Sequence, residues 1–213
     1  MQTFLEEKCD AVVIGAGHAG AEAALALART GLKTVLLTLN LDSVGFLPCN
    51  PSIGGTAKAH LVREIDALGG QMGIVADESA LQVRMLNSGK GAAVQSLRAQ
   101  VDKNLYHSRM KKVLENTDNL RILQGEAAEI LTESGKVSGV KTTYGSVIEC
   151  RAVVVATGVY LGAQTITGEL VKDSGPNGFE RSVALSRSLL SLGYKLRRFK
   201  TGTPARIYSR TID

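Results

Sequence analysis

The sequence predicts an α/β fold in which a parallel sheet is combined with a small antiparallel β-meander. Three observations carry this prediction: two apolar strands that flank an alanine- and leucine-rich helix, a later run of short strands separated by glycines, and one more apolar strand after them. Buried parallel strands are apolar throughout because both faces of such a sheet are covered. The order predicts a sheet of βαβ units in which the meander is a crossover connection.

The first βαβ unit occupies residues 9–39. Residues 9–15 predict a short buried strand after a charged lead-in, and residues 17–30 predict a helix that ends at Gly31, a residue that favours a left-handed cap. Residues 33–39 predict the second strand. A loop rich in glycine, proline and asparagine follows over residues 40–55. A helix is then predicted over residues 56–68, with Ala57, Leu61, Ile65 and Leu68 at helical spacing.

The second half predicts a long helix over residues 93–115 and a strand over residues 120–123. The inward-facing residues of that helix are predicted to be Val94, Leu97, Val101, Leu105 and Val113. Antiparallel strands are predicted over residues 130–131, 137–143 and 146–150, with turns at Gly135 and Gly145. Residues 152–156 predict another buried strand, residues 179–192 a helix, and residues 195–199 a last strand.

Composition is that of an ordinary globular protein, with 213 residues, 44% hydrophobic and 21% charged. This length suits one domain, or one domain with a small insertion. The net charge of +5 indicates an anionic partner, a nucleotide or nucleic acid, or simply a basic surface. Basic residues gather late in the chain, at Lys195, Arg197, Arg198, Lys200, Arg206 and Arg210.

The number of cysteines and the hydropathy of the chain indicate the cellular compartment of the protein. Cys9, Cys49 and Cys150 are scattered and odd in number, which argues against a disulfide framework and a zinc site. Neither a signal sequence nor a membrane-spanning apolar run is visible. A cytoplasmic protein without a membrane partner is therefore expected. Ser-His-Asp sets, Walker loops and metal-ligand clusters are not apparent, so no metal site is predicted.

A glycine-rich motif stands where the first strand passes into the first helix. Its six residues, Gly15, Ala16, Gly17, His18, Ala19 and Gly20, fit GxGxxG. The first glycine permits a tight turn, the second lets the backbone approach a pyrophosphate, and the third allows close helix–strand packing. Phosphates would lie on free N–H groups at the positive helix end. Glu22 fits a flavin-type extension of this motif. The alternative is a glycine turn without a ligand.

Two further positions bear on the nucleotide. A carboxylate commonly ends the second strand of such folds and holds the ribose hydroxyls, but here Thr38 or Asn40 must serve, which favours FAD over NAD. Ala156, Thr157 and Gly158 follow the late buried strand and resemble the second nucleotide contact of flavoproteins, where small residues let the chain pass close to the cofactor. The alternative for this segment is a simple strand-ending turn.

The loop over residues 46–55 holds two prolines, two glycines and Cys49. It could present backbone N–H groups and the Cys49 thiol to a flavin ring or substrate, with a thiolate favoured by the following helix N-terminus and by Lys58 or His60. Alternatively, Cys49 packs as a small hydrophobic residue. His18 is interpreted as space-filling, and His60 and His107 as surface or core residues of helices.

Four segments together resemble the glucose-inhibited division protein A family (GidA, also called MnmG). They read DAVVIGAGHAGAEAA from Asp10, CNPSIGGTAKAHLVREIDALGG from Cys49, MLNSGKGAAVQSLRAQ from Met85 and KTGTPARI from Lys200. The resemblance spans essentially the whole chain. It implies a Rossmann-like FAD-binding domain of glutathione-reductase type, with FAD held by residues 15–20, by Ala127 and by Ser182. It also implies that Cys49 matches a cysteine with a catalytic role.

The resemblance implies a reaction as well. With the GTPase partner MnmE, family members install an aminomethyl or carboxymethylaminomethyl group at C5 of the wobble uridine of tRNA. Methylenetetrahydrofolate supplies the carbon unit, glycine or ammonium the nitrogen, and NADH reduces the flavin. Family members are homodimers and are cytoplasmic or organellar.

The domain division expected from the family is an FAD-binding domain over residues 1–199 and the start of a truncated NADH-binding insertion over residues 200–213. Family proteins are much longer, so this chain alone is expected not to modify tRNA. One alternative is a non-catalytic nucleotide-binding module that meets protein partners. Another is an independent oxidoreductase of the glutathione-reductase type, which the missing CxxxxC dithiol disfavours.

Overall fold

The structure, a computed structural model, describes residues 3–203 and 207–213. Arg206 of the basic segment, and Pro204 and Ala205 of the KTGTPARI segment, lie outside the described residues. In the described ranges the elements are, in order, β1 Phe4–Lys8, β2 Ala11–Ile14, α1 His18–Arg29, β3 Thr34–Thr38, β4 Ser52–Gly54, α2 Ala59–Ala67, α3 Met72–Glu78, β5 Ala80–Leu86, β6 Ser96–Val101, α4 Lys103–Glu115, β7 Leu120–Gln124, β8 Ala127–Glu133, β9 Lys136–Thr142, β10 Ser146–Glu149, β11 Ala152–Val155, β12 Thr165–Thr167, β13 Leu170–Lys172 and α5 Ala184–Ser191.

The centre of the molecule is a parallel sheet in the order β11-β2-β3-β7. Alternate residues of β2 and β3 face two separate hydrophobic cores. Val13 and Leu36 pack on the side of α1 and α4, whereas Val12 and Val35 pack on the side of the meander and α5. Both faces are therefore covered, which is why these strands are continuously apolar. The predicted parallel sheet is confirmed.

Helix α1 connects β2 to β3 and buries apolar residues against the sheet, including Ala21, Ala24 and Leu25. Gly31 follows the helix with a φ of 87°. A left-handed residue at this position is what the sequence predicted, since glycine adopts it without steric cost.

The meander consists of β8, β9 and β10 in antiparallel pairs, and β1 adds to it as a parallel partner of β10. Gly135 and Gly145 have φ values of 75° and 91°, as expected for its turns. Helix α5 packs on β8, where the Ser188 hydroxyl accepts the Ile130 N–H at 3.0 Å. From β10 the chain passes directly into β11, which pairs with β2. The meander is thus the predicted crossover, while β1 was read only as a charged lead-in.

The predicted helix over residues 93–115 is wrong in its first half. A 3-10 turn, Ala92–Val94, is followed by β6, which lies between β4 and β5 in a small antiparallel sheet. Asp102 then caps α4 by accepting the N–H groups of Asn104 and Leu105, both at 2.9 Å. The cap fixes the helix start, because an Asp side chain satisfies N–H groups that have no helical partner.

Other predicted boundaries also shift. Helix α2 begins at Ala59, because Ala57 has a φ of 61° and cannot belong to a right-handed helix. Leu61 on α2 and Leu68 directly after it are exposed. Val94 and Leu105 are exposed as well, so the inward orientation predicted for these two residues is wrong. Helix α5 begins later than predicted. The predicted strand over residues 195–199 is wrong, since these residues have no regular structure.

Several elements had no sequence prediction: β4, β5, α3 and the hairpin of β12 and β13. Within residues 3–203 and 207–213, no helix combines the length and the apolar character needed to cross a bilayer.

Candidate dinucleotide-binding site

A cavity of about 350 Å³ runs along the carboxyl edge of the parallel sheet. The ends of all of its strands contribute lining residues, with Ile14 of β2, Thr38 of β3, Gly125 after β7 and Ala156 after β11. Strands lie about 4.8 Å apart, so an edge crossing four of them extends about 14 Å. This is the usual place for ligands in an open α/β sheet, and the extent suits an elongated ligand.

The glycine motif forms the middle of the groove. Gly15 has a φ of 105°, and a Cβ there would overlap the carbonyl oxygen of Ala156. A Cβ on Gly20 would overlap the carbonyl oxygen of Gly15. At Gly17, in contrast, a Cβ would have no neighbouring atom within 4 Å. Gly15 and Gly20 are thus required by packing, whereas Gly17 faces open space in the groove, as the motif requires.

Helix α1 begins at this loop and presents its N-terminus to the groove. Gly17 is its N-cap and offers no side-chain cap, so the first N–H groups of the helix have no intrahelical partner. Residues 15–19 line the groove, but Gly20 does not. The Gly45 N–H donates to the Ala16 carbonyl at 2.8 Å and anchors the loop from outside. The arrangement places free donors and the positive helix end beside the cavity, which suits a phosphate.

The end of β3 separates the two residues that the sequence left as alternatives. Thr38 lines the groove, and its hydroxyl donates to the Asn40 carbonyl at 3.3 Å. Asn40 does not line it, because its side-chain oxygen accepts the Asp42 N–H at 2.6 Å and caps the 3-10 turn Leu41–Ser43. A contact between Asn40 and the nucleotide stays a prediction, and the geometry favours Thr38 of the two residues.

The second half of the groove is lined by the other predicted residues, Ala127, Ala156, Thr157, Gly158 and Ser182. The Ser182 hydroxyl oxygen is buried and has no hydrogen-bond partner within the described chain. Its backbone is held firmly, since its N–H donates to Tyr160 and its carbonyl accepts from Gly162. A buried hydroxyl without a partner is costly unless a ligand supplies one.

Aromatic residues that the sequence analysis missed line one wall. Phe46 and Phe179 meet edge-to-face with ring centroids 6.2 Å apart, and Tyr160 contacts Phe179 at 6.3 Å. The Lys103 Nζ lies 3.8 Å from the centre of the Phe46 ring. These rings come from segments far apart in sequence, so no local pattern links them. Gly125 and Glu126 were also missed, although their position directly after a strand of the sheet could have identified them.

Cys49 lies beside the groove and not on its lining. Its neighbour Pro48 is a lining residue, and the Cys49 thiol donates to the Gly202 carbonyl at 3.3 Å. The loop around Cys49 and the segment around Gly202 therefore meet, although they are separated by most of the chain. The predicted position before a helix N-terminus is wrong, because β4 lies between Cys49 and α2.

The remaining polar candidates have structural partners. Glu22 lies off the groove and accepts the N–H groups of Gln71 and Met72, at 2.9 and 2.5 Å, at the start of α3. His107 contacts the Val44 carbonyl at 2.6 Å through Nδ1. His60 is on α2. His18 lines the groove, and burial lowers its pKa.

A parallel sheet whose carboxyl edge carries this glycine loop and a groove of this length defines a dinucleotide-binding α/β domain. The family model described as glucose inhibited division protein A matches residues 10–213. The chain belongs to this family.

Two solved structures and one curated relative illustrate the similarity. The tRNA uridine 5-carboxymethylaminomethyl modification enzyme MnmG of Caldicellulosiruptor saccharolyticus is 58% identical over 99% of this chain and 34% of the relative. GidA of Aquifex aeolicus is 50% identical with a TM-score of 0.92, over 97% of this chain and 34% of that one. The GidA-related protein of Thermus thermophilus is 25% identical with a TM-score of 0.64, over 87% and 69%. The chain thus spans about a third of the length of the curated relative.

Proposed function

We propose that the groove binds FAD, with the pyrophosphate at the N-terminus of α1. The observation that carries this proposal is the continuity of the groove along the carboxyl ends of β7, β3, β2 and β11. A groove of this length fits two nucleotide halves. Thr38, in place of a carboxylate, favours FAD over NAD, and the Ser182 hydroxyl offers an unused hydrogen-bonding group. When bound, FAD would supply redox chemistry.

We further propose that the chain is the FAD-binding part of an enzyme that modifies the wobble uridine of tRNA. The relative from Caldicellulosiruptor saccharolyticus is named a tRNA uridine 5-carboxymethylaminomethyl modification enzyme and matches nearly the whole chain, which supports this proposal. In this proposal an aminomethyl or carboxymethylaminomethyl group is added at C5 together with the GTPase MnmE. Methylenetetrahydrofolate and NADH are the co-substrates, and the assembled enzyme is a cytoplasmic homodimer. The FAD-binding domain would extend over residues 1–199, with the NADH-binding insertion beginning at Lys200.

Cys49 is proposed as the catalytic residue of this site. Its loop reaches the groove through Pro48 and meets the Gly202 carbonyl, so the thiol lies where two of the family-like segments converge. A substrate placed against the end of the groove would therefore lie near this thiol.

A second candidate concerns the 213 residues taken alone. They span 34% of the relative's length, and in this reading they are a dinucleotide-binding module that holds FAD without modifying tRNA. The two candidates differ in activity and agree on the cofactor.

A chimera tests the proposed enzyme. Residues 1–213 would replace the matching segment of the Caldicellulosiruptor saccharolyticus relative, and the product would be expressed in bacteria that lack their own copy. Mass spectrometry of digested tRNA should show restored C5-modified uridine, and the same chimera carrying Gly17→Val should not restore it. A folded chimera that binds FAD but leaves uridine unmodified would contradict the proposal that these residues form the FAD-binding part of such an enzyme.

A further inference from the structure

His18 and Tyr106 form a contact beneath the groove that the proposed function does not use. His18 is the first residue of α1 and lines the groove, whereas Tyr106 lies on α4 and is fully buried. The Tyr106 hydroxyl oxygen lies 3.4 Å from the Nδ1 atom of His18. The rings meet edge-to-face with centroids 5.7 Å apart and an interplanar angle of 66°.

The protonation states of the two rings determine which of them donates. Burial, together with the nearby Glu22 carboxylate, raises the pKa of Tyr106, so its hydroxyl stays protonated. Burial lowers the pKa of His18, so its imidazole is neutral near pH 7. Among the residues that the structure describes, Nδ1 of His18 is the one acceptor within reach of the buried Tyr106 O–H, so we infer that the hydroxyl donates to Nδ1 and that the ring hydrogen of His18 resides on Nε2. In residues 3–203 and 207–213, no group accepts a hydrogen bond from Nε2.

The Tyr106 ring is held in place by the segment that also supports the phosphate loop. A Cβ on Gly45 would lie 3.3 Å from the Cε1 atom of Tyr106, which is a tight contact, and the φ of 57° at Gly45 also favours glycine. Gly45 in turn donates to the Ala16 carbonyl at 2.8 Å. Asp102 caps α4 one turn before Tyr106. The tyrosine is thus fixed relative to the loop on which His18 stands.

We propose that Tyr106 is a positioning residue that fixes the tautomer and orientation of His18, so that the Nε2–H donates to the pyrophosphate of a dinucleotide in the groove. This inference rests on the proposed FAD site. The donor adds to the N–H groups of α1 and is the only side chain among the glycine-motif residues that carries a hydrogen-bonding group. A neutral donor suits the site because no proton must be taken up when the anionic ligand enters.

The tautomer can be measured without any ligand by nitrogen NMR of the 213-residue chain labelled with 15N-histidine. The His18 signals, assigned by their absence in His18→Gln, should show a protonated Nε2 in the wild type. In Tyr106→Phe, which keeps the ring and removes the hydroxyl, they should move toward a mixture of tautomers. Loss of this support should raise the Kd for FAD about threefold to tenfold, the size of one modest hydrogen bond.

Two control variants separate this role from packing. Met110→Leu alters a fully buried neighbour on α4 while the hydroxyl remains, and Tyr194→Phe removes a hydroxyl from an exposed site. Both should leave the His18 tautomer unchanged, and Tyr194→Phe should also leave the FAD Kd unchanged. His18→Gln places an amide N–H near the Nε2 position and should retain most of the affinity. His18→Asn places its amide nearer the Nδ1 position and should lose about tenfold.

Different results would overturn the proposed FAD site and the positioning role of Tyr106. A folded wild-type chain that binds no FAD overturns the proposed function. If the wild type binds FAD, an unchanged His18 tautomer or an unchanged FAD Kd in Tyr106→Phe overturns the positioning role of Tyr106.

Discussion

The backbone of Gly15 lies directly against the carbonyl group of Ala156, so closely that no side chain fits between them. Gly15 begins the connection from β2 to α1, and Ala156 directly follows β11, 141 residues further along the chain. The Ala156 N–H donates to the Ile14 carbonyl at 2.8 Å, and the Gly15 N–H donates to the Leu37 carbonyl at 2.8 Å. The two turns of the groove are therefore built as one unit across three strands.

Adding a methyl group at Gly20 should destabilise the fold. A Cβ there would overlap the Gly15 carbonyl, which is backbone and cannot move aside cheaply. Gly20→Ala is expected to lower the free energy of unfolding by about 2–4 kcal/mol, in the range of severe core overpacking. Urea denaturation measures this, with Gly17→Ala as the control in the same motif, expected to be close to wild type. Equal stability of the two variants would contradict the tight packing of α1 on the loop.

A larger side chain at Gly17 should block the ligand and spare the fold. Gly17 has open space around its Cβ position and a φ of −73°, which any residue can adopt. Gly17→Val is therefore expected to melt within a few degrees of the wild type and to lose FAD binding, because the side chain would occupy the pyrophosphate space. Thermal melts and flavin absorption measure the two effects. Stoichiometric FAD in this variant would rule out the assigned phosphate position.

Removing the Ser182 hydroxyl should have opposite effects on the free and the FAD-bound chain. Without ligand, Ser182→Ala deletes a buried oxygen that has no partner in the described residues, so stability should stay the same or rise by up to about 1 kcal/mol. With FAD present, the variant should bind more weakly, by a factor of about three to ten. Calorimetric titration and thermal melts, each with and without FAD, report both signs. Ser186→Ala, one turn along, is a suitable control because that hydroxyl donates to the Ser182 carbonyl.

Thiol labelling should distinguish the cysteines. Burial raises the pKa of Cys9 to about 12, and the nearby Cys150 thiol adds to this effect. Burial also raises the pKa of Cys150. At pH 8 only about one Cys9 side chain in ten thousand would be thiolate, the reactive form. Iodoacetamide at pH 8 should therefore modify Cys49 before the other two, as read by peptide mass spectrometry. Faster labelling of Cys9 in the folded chain would contradict its burial.

The parallel sheet and the glycine loop could be predicted because their signals are local. Continuous apolar strands and the GxGxxG spacing each lie within a few residues. Strand β6 could not be predicted in this way, because Val94, Leu97, Val101 and Leu105 also fit helical spacing. Its pairing with β4 and β5 depends on contacts between segments that are distant in sequence. Asp102 carried a helix-start signal that would have split the segment correctly.

The residues of the groove also divide into those that could be predicted from the sequence and those that could not. Residues after the strands were predictable from the topology, whereas the aromatic wall and the contact of His18 with Tyr106 join segments far apart in sequence. The Asn40 side chain could contact either a nucleotide or the nearby backbone. It accepts the Asp42 N–H and caps a 3-10 turn, which holds it away from the groove.

Whether the groove binds FAD is answered by titrating the purified 213-residue chain with FAD and recording flavin absorption after removal of unbound ligand. We expect saturation at about one FAD per chain, and Gly17→Val should retain none. A folded wild-type chain that takes up no FAD would contradict the assignment of the groove as a dinucleotide site.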